Sequence, residues 1–160
     1  MRPKESYLRG EKRAVLMPMT KKQKAALLRD VALFSGIRPR QLNTIADLTT
    51  EIEVEPGRYI VRQGQVGTGF YLITRGKAKV VMDGKTLARL GPGEFFGELS
   101  LLDHQPRMAH VIAEERTTCL ALASWDFTRL LEKTPKLTLS ILREVAKRLR
   151  AISVSDQHQH

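Results

Sequence analysis

Between Gly91 and Val111 the chain sets out residues that could hold an anion next to a hydroxyl donor. Gly91-Pro92-Gly93-Glu94-Phe95-Phe96 leads into Gly97-Glu98-Leu99-Ser100-Leu101-Leu102, and Asp103-His104-Gln105-Pro106 leads on to Arg107-Met108-Ala109-His110-Val111. A helical turn opening on Gly-Glu-Leu-Ser presents backbone N–H groups with no intrahelical partner, and an anion settles on such groups. An arginine arriving shortly afterwards closes on the same anion with its planar fork of donors. Glu98 repels that anion and therefore requires a partner with hydroxyl donors. A ligand carrying one phosphate and one ribose hydroxyl satisfies both groups.

Other chemistry finds little support. His104 and His110 do not form an H-x-H pair, His158 and His160 lie in the polar tail and read as solvated terminal residues ahead of a stray-metal site, and Cys119 is the only cysteine, which excludes an internal disulfide and a multi-cysteine metal site. No Ser-His-Asp or Cys-His pattern stands out, and no kinase, cyclase or phosphodiesterase segment is present. The expectation is a binding protein with no cofactor, not an enzyme. No apolar run reaches membrane length, and no basic stretch precedes an apolar one in the manner of a secretory signal, so a cytoplasmic protein is expected.

The net charge is +10, with 27 Lys and Arg against 17 Asp and Glu. Eleven of those basic residues fall in the first forty positions, against Glu5, Glu11 and Asp30. The basic character therefore belongs to the N-terminal extension and not to the pocket, and nucleic acid is not the expected partner.

Residues 1–19 mix charge with two prolines and read as a flexible basic arm, ordered at most by a partner. Residues 20–49 read as helical: Thr20 caps a helix over 21–30, and a second fits 39–49 with Leu42, Ile45, Ala46 and Leu48 on its apolar side. Over 50–123 the period changes to two. Ile52 and Val54 alternate with Glu51 and Glu53; further strands fit 59–61, 70–73, 78–82, 87–90, 109–113 and 118–123. Asp83-Gly84 is a two-residue hairpin signal, because both residues tolerate positive φ. Short, evenly spaced strands predict a mainly β fold, a double-sheet jelly roll or barrel with flanking helices. Over 124–160, Ser124 reads as the cap of a helix at 125–132, and a long helix follows Pro135. Its seam of Leu142, Val145, Leu149 and Ile152 packs either on the chain's own sheets or on a second copy.

The Phe-Gly-Glu-Leu-Ser-Leu-Leu…Pro-Arg-x-Ala combination at residues 96–109 resembles the phosphate-binding cassette of cyclic-nucleotide-binding domains, the cAMP and cGMP sensor module of kinases, channels and bacterial regulators. The resemblance runs from about Leu33 through the C-terminal helix. It implies cAMP as ligand, with cGMP as the alternative. The phosphate would meet Arg107, the Leu99 and Ser100 turn, Met108 and Ala109, and the ribose would meet Gly97 and Glu98. Phe96, Leu99 and Val111 are expected to face the core. Met108 stands where many relatives carry Ser, Thr or Ala; a hydroxyl there helps hold guanine in cGMP-selective members, so its absence leans toward cAMP. His110 replaces a frequent threonine and is given no chemistry. No aromatic lies beyond Phe127, so the base is assigned to Arg148, Ile152 or Ser153 of the last helix.

A buried Arg107–Glu98 ion pair in a degenerate, protein-binding module is the alternative. Another is a sensor fragment of a catabolite-activator-type transcription regulator, whose long helix dimerises. The preferred reading is a sensor whose helices move on ligand binding and are read by a partner protein not named by the sequence.

Overall fold

The computed structural model describes residues 11–158, with side chains through Val154. Two antiparallel sheets face each other. One has the order β1 (Arg13–Ala14), β2 (Thr50–Val54), β9 (Thr117–Ala123), β4 (Gly69–Arg75) and β7 (Phe95–Phe96). The other runs β3 (Tyr59–Val61), β8 (His110–Ala113), β5 (Ala78–Met82) and β6 (Lys85–Leu90). The jelly-roll architecture is as expected; it is a pair of sheets and not a closed barrel.

Among the described residues helices cover one sheet only, and that explains its composition. Phe70 and Leu72 of β4, with Leu120 and Leu122 of β9, pack under α1 (Lys21–Arg29), α2 (Pro39–Leu48), α4 (Ser124–Lys133) and the start of α5 (Pro135–His158). Tyr71, Ile73, Cys119 and Ala121 point the other way, into the space between the sheets. A strand buried on both faces reads as a continuous apolar run and not as an alternation. In contrast, β6 pairs among the described residues only with β5, at the sheet edge, and is polar and largely exposed.

Local signals set the turns and caps. Thr20 and Gln23 form a reciprocal capping box at α1. Asp83 and Gly84 take φ of 51° and 81° between Met82 and Lys85, which pair across the hairpin. At α4 the cap differs from expectation: Ala123 holds the cap position and Ser124 is the first helical residue, with its amide donating to the Thr68 carbonyl at 3.0 Å.

The N-terminal arm is also different. Residues 1–10 lie outside the described residues, but Arg13 and Ala14 pair with Glu53 and Ile52. Glu11 accepts from Arg62 at 2.8 Å and from the Tyr59 amide, and the Met19 amide donates to Glu51. That last bond explains why Glu51 is buried although its place in the alternation suggested a solvent-facing carboxylate.

The long helix follows its expected seam only in part. Leu137 and Ile141 are buried, and Val145 packs against the helical core, while Leu142, Leu149 and Ile152 are exposed. None of the helices in the described residues is long and apolar enough to cross a membrane.

Candidate anion and hydroxyl site

The cassette is built on β7, whose two phenylalanines pair with β4, Phe96 opposite Tyr71 and Phe95 opposite Leu72. Because strand side chains alternate, Phe95 joins the helical core and Phe96 stacks on Tyr71 between the sheets, with ring centroids 5.2 Å apart. The chain then turns at Gly97, φ +99°, into the short helix α3 (Glu98–Asp103). A Cβ at Gly97 would lie 2.8 Å from the Gly69 carbonyl oxygen and 2.9 Å from Arg107 Nη1, so glycine is needed for space as well as for φ. The Ser100 hydroxyl donates to the Gln105 carbonyl at 2.6 Å and fastens the loop after α3 to the helix.

Arg107 is held from both ends. Its backbone amide donates to the Gln65 carbonyl at 2.8 Å, and its carbonyl accepts from the Gly64 amide at 2.7 Å. Its side chain, 7% exposed, donates from Nη1 to the Gly97 carbonyl at 2.8 Å and from Nη2 to the Gly69 carbonyl at 2.7 Å. A guanidinium has five N–H donors, so its fork is aimed by two carbonyls with other donors to spare. Burial pulls its pKa below the usual arginine range, while Tyr71 and Glu98 act in the opposite direction. A Cβ at Gly67 would come within 2.5 Å of Ser100 Oγ and 3.1 Å of Arg107 Cζ, so the β3–β4 loop lies directly against the cassette.

Glu98 is 4% exposed, and its Oε2 has no hydrogen-bond partner among the described residues. Burial pushes its carboxyl above the ordinary glutamate range; its own backbone N–H, Arg148 and Arg107 oppose the rise, and Glu144 adds to it. The other oxygen lies 3.5 Å from Arg148 Nη1. Arg148 also donates from Nη2 to the Phe95 carbonyl at 2.6 Å, sits 4.4 Å from the centroid of the Phe95 ring, and lies 3.6 Å from Glu144. Glu98 therefore pairs with α5 and not with Arg107. The buried Arg107–Glu98 pair of a degenerate module is not formed.

The structure thus gathers Gly97, Glu98, Ser100 and Arg107 at one place, with Arg148 arriving from α5. Leu99 departs from expectation: its side chain is 42% exposed and does not face the core, because α3 lies at the surface with only Glu98, Ser100 and Leu101 buried. Phe96 and Val111 are buried as expected. Met108 turns its side chain to solvent, and Ala109 is partly buried beside Arg107. Ile152 and Ser153 lie exposed farther along α5, with the Ser153 hydroxyl donating back to Leu149. His110 has a structural role: its Nδ1 accepts from the Gln63 amide at 3.0 Å and its ring meets Tyr59 edge-on.

Sequence reasoning missed the carbonyls of Gly69 and Gly97 that aim Arg107, since any residue supplies a carbonyl and no side chain advertises it. It also missed Lys12, whose Nζ lies 5.9 Å from the Tyr71 ring centroid. A cavity of about 420 Å³ borders the cassette between Gly67, Ser100 and Trp125, but Arg107 and Glu98 do not line it, so it is not where the charged groups converge.

An aimed guanidinium beside a buried carboxylate with an open oxygen has donors of the kind a phosphate takes and an acceptor of the kind a hydroxyl takes. The family model described as cyclic nucleotide-binding domain matches residues 51–134, which run from β2 through β9, with the cassette, to α4. The chain belongs to the cyclic nucleotide-binding domain family. It is 35% identical over 123 residues to the cyclic AMP receptor protein of Thermus thermophilus, covering 74% of this chain and 57% of that protein. It is 36% identical over 122 residues to a cAMP-dependent protein kinase type II regulatory subunit of Drosophila melanogaster, covering 74% of this chain and 32% of the relative. Among solved structures, the Thermus thermophilus catabolite activator protein matches with a TM-score of 0.71 and 33% identity, over 79% of this chain and 62% of that one. The chain thus spans between about a third and somewhat over half of the curated relatives named. This family is a regulatory binding domain and not a catalytic one.

Proposed function

We propose that this cyclic nucleotide-binding domain is a sensor that takes cAMP in preference to cGMP and reports occupancy through α5. The observation that carries the reading is Glu98, buried with one oxygen unpartnered and within the reach of Arg107's field. A buried acceptor left without a donor costs about 1–3 kcal/mol, and a ribose 2′-hydroxyl removes that cost. Arg107 neutralises the cyclic phosphate, with Ser100, the Leu99 turn, Met108 and Ala109 completing that side. Both relatives named above carry cAMP in their names, and Met108 offers no hydroxyl to guanine.

The route outward runs through Arg148. It touches Glu98, the Phe95 carbonyl, the Phe95 ring and Glu144 at once. A hydroxyl that engages Glu98 alters its pairing with Arg148 and so gives the ligand a differential contact with the position of α5. Ile152 and Ser153 lie on the same helix and are the candidates to cover the base. The exposed Leu142, Leu149 and Ile152 form the surface read by a second copy of the chain or by another protein.

Calorimetric titration with cAMP and cGMP tests the reading. A ligand of about 22 non-hydrogen atoms at about −0.3 kcal/mol each gives micromolar binding or somewhat better. Arg107→Ala is expected to lose about 2–5 kcal/mol of that, because the phosphate is left buried without its partner. Binding of neither nucleotide, or unchanged affinity in Arg107→Ala, would refute it.

A further inference from the structure

Lys12 belongs to the N-terminal segment yet reaches the space between the sheets. Three contacts put it there. Strand β1 is tied to β2 at Arg13 and Ala14. Glu11 is fastened to Arg62 at 2.8 Å and to the Tyr59 amide. The Lys12 ammonium then lies 5.9 Å from the centroid of the Tyr71 ring, within cation–π range.

Tyr71 also adjoins the anion site. A Cβ at Gly97 would stand 2.9 Å from Arg107 Nη1 and 3.5 Å from Tyr71 Cδ2, so the guanidinium and the edge of this ring flank the same glycine. Lys12 and Arg107 therefore both approach Tyr71. Burial first and the Arg107 charge second hold Lys12 below the ordinary lysine range, with Arg62 acting the same way; Glu11 is the carboxylate that opposes them. Glu11 is already engaged by Arg62, and Glu98 by Arg148. Two like charges drawn together in a partly desolvated site repel each other, and an anion between them turns that repulsion into attraction on both sides.

We propose that Lys12, delivered by strand β1, is a second cationic contact for the phosphate of the bound nucleotide, so that the N-terminal segment is part of the binding site. The identity of the anion rests on the cyclic-nucleotide reading above; the pairing of Lys12 with Arg107 around an anion does not. Linkage follows from the same geometry. A ligand that binds better with β1 docked must, in equal measure, hold β1 in place.

Calorimetry on the full chain with cAMP tests it, using Lys12→Gln and Lys12→Arg beside the wild type. Losing one charge-assisted contact is expected to weaken binding about tenfold in Lys12→Gln, whereas Lys12→Arg keeps the charge and stays within about threefold of wild type. Hydrogen exchange at Arg13 and Ala14 should slow on nucleotide addition in the wild type and not in Lys12→Gln. Affinity that is unchanged or tighter in Lys12→Gln overturns the proposal, the tighter result making Lys12 a plug; so does an equal loss in both variants. If the wild type takes neither cAMP nor cGMP, the sensor reading fails by itself. Lys12 is then read with inorganic pyrophosphate: an NMR shift of the Lys12 side chain that needs Arg107 upholds the two-cation site, and no shift overturns it.

Discussion

Glu98→Gln should move the stability of the free domain and its ligand affinity in opposite directions. Glu98 is a carboxylate in a buried setting with Oε2 unpartnered and only Arg148, at 3.5 Å, facing its other oxygen. Its folded-state pKa is raised, chiefly by burial. A raised carboxyl pKa means that the folded state binds the proton more tightly than the unfolded chain does. The resulting stability is fully present below the ordinary glutamate pKa and is lost as pH rises through the folded value, so at neutral pH the charge burdens the fold. Glutamine removes that burden and leaves Arg148 its bonds to the Phe95 carbonyl and Glu144. The free domain should therefore gain stability at pH 7, because the amide is buried without a charge, and its stability should depend less on pH above the glutamate range. Affinity should fall, because a hydroxyl bond to a charged acceptor is worth about 1.5–3 kcal/mol, or roughly 10- to 150-fold in Kd. Urea unfolding at several pH values and calorimetry with cAMP and 2′-deoxy-cAMP read both effects. The wild type should discriminate between the two ligands, and Glu98→Gln, which keeps only a neutral amide acceptor, should discriminate less. Undiminished discrimination, or a loss of stability at pH 7, would refute the assignment of Glu98 as an open hydroxyl acceptor.

Two glycines separate fold from site. At Gly76, φ +89°, a Cβ would lie 2.4 Å from the Arg116 carbonyl oxygen and 2.8 Å from Thr117 Cα, both backbone atoms, so Gly76→Ala should lower stability by about 2–4 kcal/mol in urea unfolding, and a loss under about 1 kcal/mol would contradict the packing. Gly97→Ala meets one backbone atom, the Gly69 oxygen, and the Arg107 fork, whose bonds to the Gly97 and Gly69 carbonyls it would disturb; it should cost about 1–3 kcal/mol of stability and, unlike Gly76→Ala, abolish nucleotide binding in the protein that remains folded.

Much of the architecture was legible because its causes are local. Thr20 with Gln23, the Asp83-Gly84 hairpin and the strand periods each depend on residues within one turn or one pair of strands. The cassette was legible for the same reason: Gly97, Glu98 and Ser100 sit on a single short turn, and Arg107 follows on the return.

The failures are of another kind. Glu51 looked solvent-facing because alternation assumes one wet face, and residue 19 covers that face. Leu99 looked buried because it is apolar, whereas a six-residue helix at the surface has room to bury only part of its circumference. Arg148 meets Glu98 across fifty positions, and Lys12 comes to Tyr71 across fifty-nine.

The sequence by itself determined the turns, the strand count in outline and the chemical types at the candidate site, since backbone dihedral preferences and side-chain chemistry travel with each residue. Only the tertiary structure decided which charges meet. An ion pair depends on distance and desolvation, and neither exists until both sheets and the last helix have packed.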